Sequence, residues 1–222
     1  MGPLPRLTRK QMRLIFMVDA SGSMSVDGKM DTLNLAMAKV QREIRQVAAR
    51  NLHANVMVQA MRFSSGASWT TPEPVAVENF QWQAISADKL SEIESVEFRE
   101  MEQPSEATAN ALEGSAAEGA ADFGKAVRLL ADSLKSPQHP SRALPPMIYL
   151  LSDGKFANGF EVDLDNLNQL KWAIKAQRHS VAIGPDVNYE NLKKFTNNIV
   201  NPEDIKDPDD NDRFVDGSDF DW

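Results

Sequence analysis

The chain has 222 residues, 42% of them hydrophobic, a formal net charge of -8 and no cysteine. That length suits one α/β domain with a sizeable core, the acidic balance repels phosphate and speaks against a nucleic-acid partner, and the missing cysteines exclude a disulfide framework, a zinc–thiolate site and a thiol nucleophile. No apolar run reaches membrane-spanning length, the Met1–Arg6 start carries no signal-peptide core, and Arg6 stands where myristoylation needs Ser or Thr, so the expected location is cytoplasmic.

Residues 1–11 read as a loose arm leading to a first strand at about Met12. Leu14-Ile15-Phe16-Met17-Val18 is a continuous run of bulky and β-branched side chains, the pattern of a strand buried on both faces in a parallel sheet, and it ends on Asp19. Beyond it, Ser21 and Ser23 flank Gly22 in a turn. Met30, Leu33, Met37, Val40, Ile44 and Val47 recur at three- and four-residue steps and predict one apolar face of a long helix ending at Asn51. His53 to Phe63 predicts a second strand. Past Ser64-Ser65-Gly66, the segments around Trp69 and Val75–Val77 predict an antiparallel return strand at the sheet edge, where Pro72 and Pro74 are tolerated. Asp88 to Phe98 predicts a short helix, and residues 99–118, poor in large apolar side chains, a mobile loop.

Order resumes at Gly119. Phe123, Val127, Leu130 and Leu134 space a helix, with Asp122 as its N-cap and Ser136-Pro137 as its stop. Met147 to Leu151 is a second continuous apolar run, followed at once by Ser152-Asp153-Gly154. Asp163 is expected to cap a helix bearing Leu164, Leu167, Leu170 and Ile174; a strand follows over Ser180–Gly184 and a short helix over Asn188–Thr196. From residue 203 aspartate dominates, predicting an acidic tail. The expected division is thus an arm (1–11), one domain (12–202) and the tail (203–222). His53, His139 and His179 stand without spaced partners and read as structural or solvated.

Alternating strands and helices call for a mostly parallel sheet covered on both faces. In such a sheet ligands bind at the carboxyl ends of the strands where the winding reverses, which would bring the Asp19 and Asp153 loops together. Asp19, Ser21 and Ser23 are oxygen donors able to curl round one point, as a hard cation such as magnesium requires. This Asp-x-Ser-x-Ser pattern, with a second buried strand ending in Asp153, resembles the metal-ion-dependent adhesion site (MIDAS) of the von Willebrand factor type A family, and the resemblance runs from Leu14 to about Thr196.

The resemblance implies a doubly wound, mostly parallel sheet with one antiparallel edge strand and helices on both faces. It implies that Ser21 and Ser23 bind the metal directly and that Asp19 and Asp153 act directly or through water. The ion would be magnesium, with manganese or calcium as alternatives, and its open position would take an Asp or Glu from a protein partner. One position departs from the family. Where a Gly-Gly-Thr-type segment supplies a threonine ligand, this chain has Gly119-Ala120-Ala121-Asp122-Phe123-Gly124, so Ala121 brings a methyl group and Asp122 is the neighbouring candidate; Thr108 and Ser115 lie too far upstream to align. Phe16–Met24 near the start and Tyr149–Gly154 late resemble the TerY-type branch, which implies a bacterial stress-response or tellurite-resistance role beside a protein kinase and a protein phosphatase.

The expectation is a non-enzymatic interaction module. Two alternatives are a scaffold with a degenerate, metal-free site, suggested by Ala121, and a metal-dependent hydrolase. Haloacid-dehalogenase phosphatases also place Asp after a strand, but they need a second Asp where this chain has Ser21; no Gly-Lys-Ser/Thr phosphate loop and no Gly-x-Ser-x-Gly elbow occurs. In the tail, Asp207-x-Asp209-x-Asn211 lacks the glycine and terminal glutamate of a calcium loop.

Overall fold

β1 (Lys10–Asp19) sits at the centre of the sheet, and from Arg13 to Asp19 every residue is buried. A computed structural model describes residues 9–51, 54–85, 121–135, 143–196 and 198–200. The arm up to residue 8, the expected helix 88–98, the loop 99–118 and the acidic tail lie outside the described residues, as do His53, His139, Thr108 and Ser115.

β1 has a parallel neighbour on each side. β2 (Ala54–Phe63) pairs with it from Lys10↔Ala54 to Asp19↔Phe63, and β5 (Met147–Ser152) from Leu14↔Met147 to Val18↔Leu151. β6 (Gln177–Ala182) and β7 (Asn198–Val200) continue in parallel beyond β5. Two short segments, β3 (Ala67–Trp69) and β4 (Val75–Ala76), run antiparallel along the outer edge of β2. Among the described residues this makes a mostly parallel sheet of seven strands in the order β3-β2-β1-β5-β6-β7, with β4 also on β2. The chain winds outward through β2 on one side of β1 and through β5, β6 and β7 on the other, so the reversal falls between β1 and β5.

Side chains alternate along β1 and feed two cores. Leu14, Phe16 and Val18 join Met24, Met30, Leu33 and Met37, the last three from α1 (Lys29–Arg50). Ile15 and Met17 join Phe63, Phe123, Val127, Leu130, Leu150 and Phe160 on the other face. The methionines are therefore interior gap-fillers. Phe123, at the start of α2 (Phe123–Lys135), organises the second core: its ring lies 4.3 Å from that of Phe156, stacked, and 5.5 to 5.7 Å from those of Phe63, Phe160 and Phe195. The expected spacing of α2 holds, since Phe123, Val127, Leu130 and Leu134 are all buried.

Five expectations need correction. β1 begins at Lys10, two residues inside the expected arm. Val47 does not belong to the buried stripe of α1: it is 53% exposed, past half-buried Val40 and Ile44, and the helix's cover there falls on Ala48 instead. Asp163 is not a cap. α3 (Phe160–Leu167) starts earlier, after Gly159, whose φ of +95° is a left-handed geometry that glycine adopts without strain; Asp163 lies inside the helix and its carboxylate pairs with Arg128 Nη1 at 2.6 Å. Nor is 164–174 one helix. The chain turns at Asn168, whose N–H donates to Leu164 O, and restarts as α4 (Lys171–Lys175), leaving Ile174 68% exposed; Asp165 and Asn166 are weak helix formers that favour such a break. β6 also starts earlier than expected, its polar residues Gln177 to His179 pairing with Met147 to Tyr149. α5 (Tyr189–Phe195) agrees with expectation and is capped by the Asn188 side chain. β7 was not expected.

Candidate functional site

At the carboxyl ends of β1 and β5 the strand register sets the Asp19 turn beside Ser152 and Asp153. Asp19 is fully buried. Its Oδ1 accepts from the backbone N–H of Ser21 at 2.9 Å and from the Ser21 hydroxyl at 2.6 Å, while its Oδ2 accepts from the Ser152 hydroxyl at 2.5 Å. Ser152 Oγ in turn accepts from Gly154 N–H at 2.8 Å. A short 3-10 turn (Gly22–Ser25) brings the Ser23 hydroxyl to 3.2 Å from that of Ser21. Burial pushes the Asp19 carboxyl up to about 6; the hydrogen bonds from Ser152 and Ser21 oppose the rise, and the charge of Asp153 adds to it.

The second loop is organised by a lysine. The first residue of α1, Lys29, reaches across so that its ammonium lies 2.9 Å from Asp153 Oδ2, 2.6 Å from Asp186 Oδ1 and 3.2 Å from Ser23 O. Both the Lys29 and the Asp153 side chains are completely buried, whereas Asp186 is 44% exposed. Asp153 Oδ1 accepts from Lys155 N–H at 3.1 Å, and the Lys155 ammonium pairs with the other oxygen of Asp186. Burial alone would lower the Lys29 ammonium, but the hydrogen bonds to Asp186 and Asp153 and their charges hold it above its ordinary value. Asp186 is held well below the carboxylate range, first by Lys155 and then by Lys29.

The predicted site residues therefore divide. Asp19, Ser21 and Ser23 form one hydrogen-bonded chain, and Asp153 meets that chain through Lys29 and Ser23 O. Asp122 serves α2 instead, since its Oδ1 accepts from Lys125 N–H at 3.0 Å, capping that helix as expected, and its Oδ2 pairs with Lys125 Nζ at 3.3 Å. Ala121 is fully buried among Phe123, Phe156 and their neighbours, and its carbonyl accepts from Ala157 N–H at 2.8 Å. His179, expected to be structural or solvated, stacks on Tyr149 with ring centres 4.9 Å apart.

Among the described residues no group of three or more histidine, aspartate and glutamate side chains is placed to hold a metal ion, so a cation here would depend on serine hydroxyls. The donor chemistry of Asp19, Ser21 and Ser23 fits a hard divalent ion. Asp153, with one oxygen on an ammonium and the other on a backbone N–H, is engaged within the chain. Among the described residues no helix is long and apolar enough to cross a membrane.

Lys29, Ser152 and Asp186 were not read from the sequence as site residues, yet each left a signal. A cation at the first position of a long helix opposes the helix dipole and calls for a compensating anion. Asp186 lies in the turn after β6, as Asp153 lies in the turn after β5, so both loops set an aspartate past a strand's carboxyl end. Ser152 alternates with Leu151 at the inner end of a buried strand, where a hydroxyl needs a partner.

No protein-family model matches this chain, and no curated protein matches it in sequence. Solved structures do match. The chain is similar over 87% of its length to proximal thread matrix protein 1 from the mussel byssus, in a structure with a zinc-occupied MIDAS motif (TM-score 0.54, 14% identity). Over 91% it is similar to a von Willebrand factor type A protein from Catenulispora acidiphila (TM-score 0.52, 19% identity), and over 87% to the pilus adhesin SpaC from Lactobacillus rhamnosus GG (TM-score 0.52, 13% identity). It spans 44%, 40% and 29% of those chains. The fold is accordingly that of a von Willebrand factor type A domain, an α/β fold with a mostly parallel sheet.

Proposed function

We propose that this chain is a protein-interaction module whose recognition edge is the carboxyl end of β1 and β5. Asp19, Ser21 and Ser23 would hold a divalent cation there, and the ion would supply an open coordination position for an Asp or Glu of a partner protein. The observation that carries this reading is the hydrogen-bonded chain Ser23–Ser21–Asp19–Ser152, three hydroxyls and one buried carboxylate gathered at the reversal point of the sheet. The zinc-occupied motif of the mussel protein, on the same fold, supports a divalent ion at this edge. On this reading the chain transforms no substrate. The likeness of its two strand-end motifs to the TerY-type branch extends the proposal to a stress-response or tellurite-resistance setting with a kinase or phosphatase as partner.

Calorimetric titration with magnesium, manganese and zinc tests it. Wild type is expected to bind at least one of them at a single site and Asp19→Ala to bind none; equal heats from the two proteins would refute the assignment.

A further inference from the structure

We infer that Lys29 is a resident counter-ion, a cation carried by the chain itself that holds the second loop of the site, neutralises Asp153 and so weakens the hold of the neighbouring Asp19, Ser21 and Ser23 oxygens on a divalent ion. The inference deepens the cation-binding reading above and rests on it for the identity of the competing ion, whereas the ion pairs themselves stand without it.

An ammonium has three N–H donors, and Lys29 has three oxygen acceptors for them, on Asp153, Asp186 and Ser23. No donor is left for an incoming partner. The lysine and Asp153 are both wholly removed from solvent, and a buried charge persists only when paired and hydrogen-bonded. Space for the lysine stem is built into the turn after β6. Gly184 has φ +93°, and a Cβ placed on it would stand 2.6 Å from Lys29 Cε and 2.9 Å from Cγ. The stem therefore lies directly across a residue that has no side chain. Beyond it Lys155 pairs with Asp186 and lies 4.0 Å from Asp153 Oδ2, so two carboxylates and two ammoniums form one cluster, of which Lys29 is the buried cation and holds Asp153 the closer, at 2.9 Å.

This arrangement splits the site. The side-chain oxygens of Asp19, Ser21 and Ser23 are hydrogen-bonded to neutral groups and not to the lysine, which takes only the backbone carbonyl of Ser23, while the charge of Asp153 is already balanced. A divalent ion arriving at Asp19 finds an ammonium beside the second carboxylate, and two cations held on neighbouring loops repel by an amount worth about a factor of ten or more in affinity at protein-like dielectric. Lys29 thus sets the affinity of the site from within.

The test uses the full chain, magnesium and zinc as separate probes, calorimetry and thermal melting. Lys29→Met keeps the stem and removes the charge, and is expected to bind at least one of the two ions about tenfold or more tightly than wild type. The double variant Lys29→Met/Asp153→Asn, which leaves neither charge, is expected to fold and to lose that gain. If wild type binds no ion but Lys29→Met does, the inference stands and the reading of the wild-type site as metal-loaded fails. A folded Lys29→Met that binds no more tightly than wild type overturns the inference. Should Lys29→Met fail to fold, recovery of folding in the double variant, or on addition of either ion, supports the counter-ion role; failure of the double variant to fold as well overturns it, because the lysine would then be needed for packing and not for its charge.

Discussion

Asp19→Asn isolates the cost of keeping a carboxylate at the end of a fully buried strand. The side chain is almost isosteric, its amide oxygen can accept from Ser21, and its NH2 can donate to Ser152 Oγ, which already accepts from Gly154. What the substitution removes is the charge. In the folded protein the Asp19 carboxyl is raised from 3.8 to about 6, chiefly by burial. Between those two pH values the folded state binds the proton more tightly than the unfolded chain. The carboxyl is therefore neutral below about 4 in both states and destabilises the fold by its full amount above about 6. That amount is about 3 kcal/mol, or ~6–12 °C in Tm for a chain of this size. The measurement is thermal melting of both proteins from pH 4 to pH 8 with a chelator present, so that no divalent ion holds Asp19 ionised. Asp19→Asn should melt well above wild type at pH 8, and the gap should close as the pH falls through 6 towards 4. Asp186, whose carboxyl is held low, acts with the opposite sign below about pH 4 and cancels in the comparison. An Asp19→Asn protein that melts at or below wild type at pH 8, or a gap independent of pH, would refute the reasoning.

Gly184→Ala should cost roughly 1–2 kcal/mol from its left-handed backbone, plus a steric term from the 2.6 Å approach to Lys29 Cε; the steric part should vanish in a Lys29→Ala background, which a double-mutant cycle of denaturant melts reads directly. Phe123→Ala removes the ring that touches Phe63, Phe156, Phe160 and Phe195 and should cost about 3–5 kcal/mol in urea unfolding; a loss below about 1 kcal/mol would show that the cluster closes over the gap.

The sequence was most legible where burial leaves no choice of residue. The runs at Leu14–Val18 and Met147–Leu151 read as central strands, because five apolar residues rich in bulky and β-branched side chains and bounded by turn residues are the pattern of a strand covered on both faces, and placing them side by side was enough to bring Asp19 near Asp153. α2 was equally plain, its four apolar positions all lying on one buried face. Legibility failed where tertiary cover decides. Val47 fits the stripe of α1 by spacing, yet it is exposed, since periodicity cannot say how far along a helix its cover extends. Leu170 and Ile174 continue the spacing of α3, but the turn at Asn168 puts them beyond its end. β7, three residues on a strand that is itself half polar, carries no alternation long enough to read.

Lys29 was the least legible of the site residues. Ligand motifs are read as sets of like atoms, here oxygens, and a search for oxygens passes over the cation that answers them. Yet three strands of this sheet, β1, β5 and β6, deliver an aspartate at or just past their carboxyl ends, and three carboxylates brought to one edge cannot all be left to solvent or to each other. Either a bound ion or a basic side chain must balance them. The chain supplies its own on α1 and fixes it with a glycine, which leaves Asp19 as the one fully buried carboxylate of the three whose hydrogen-bond donors are all neutral. The same fact makes Asp19 costly to keep ionised and makes it the place where an added cation gains most. The stability of the empty site and its affinity for an ion are thus set by one balance of charge, and substitutions at Asp19 and Lys29 should move the two in linked ways.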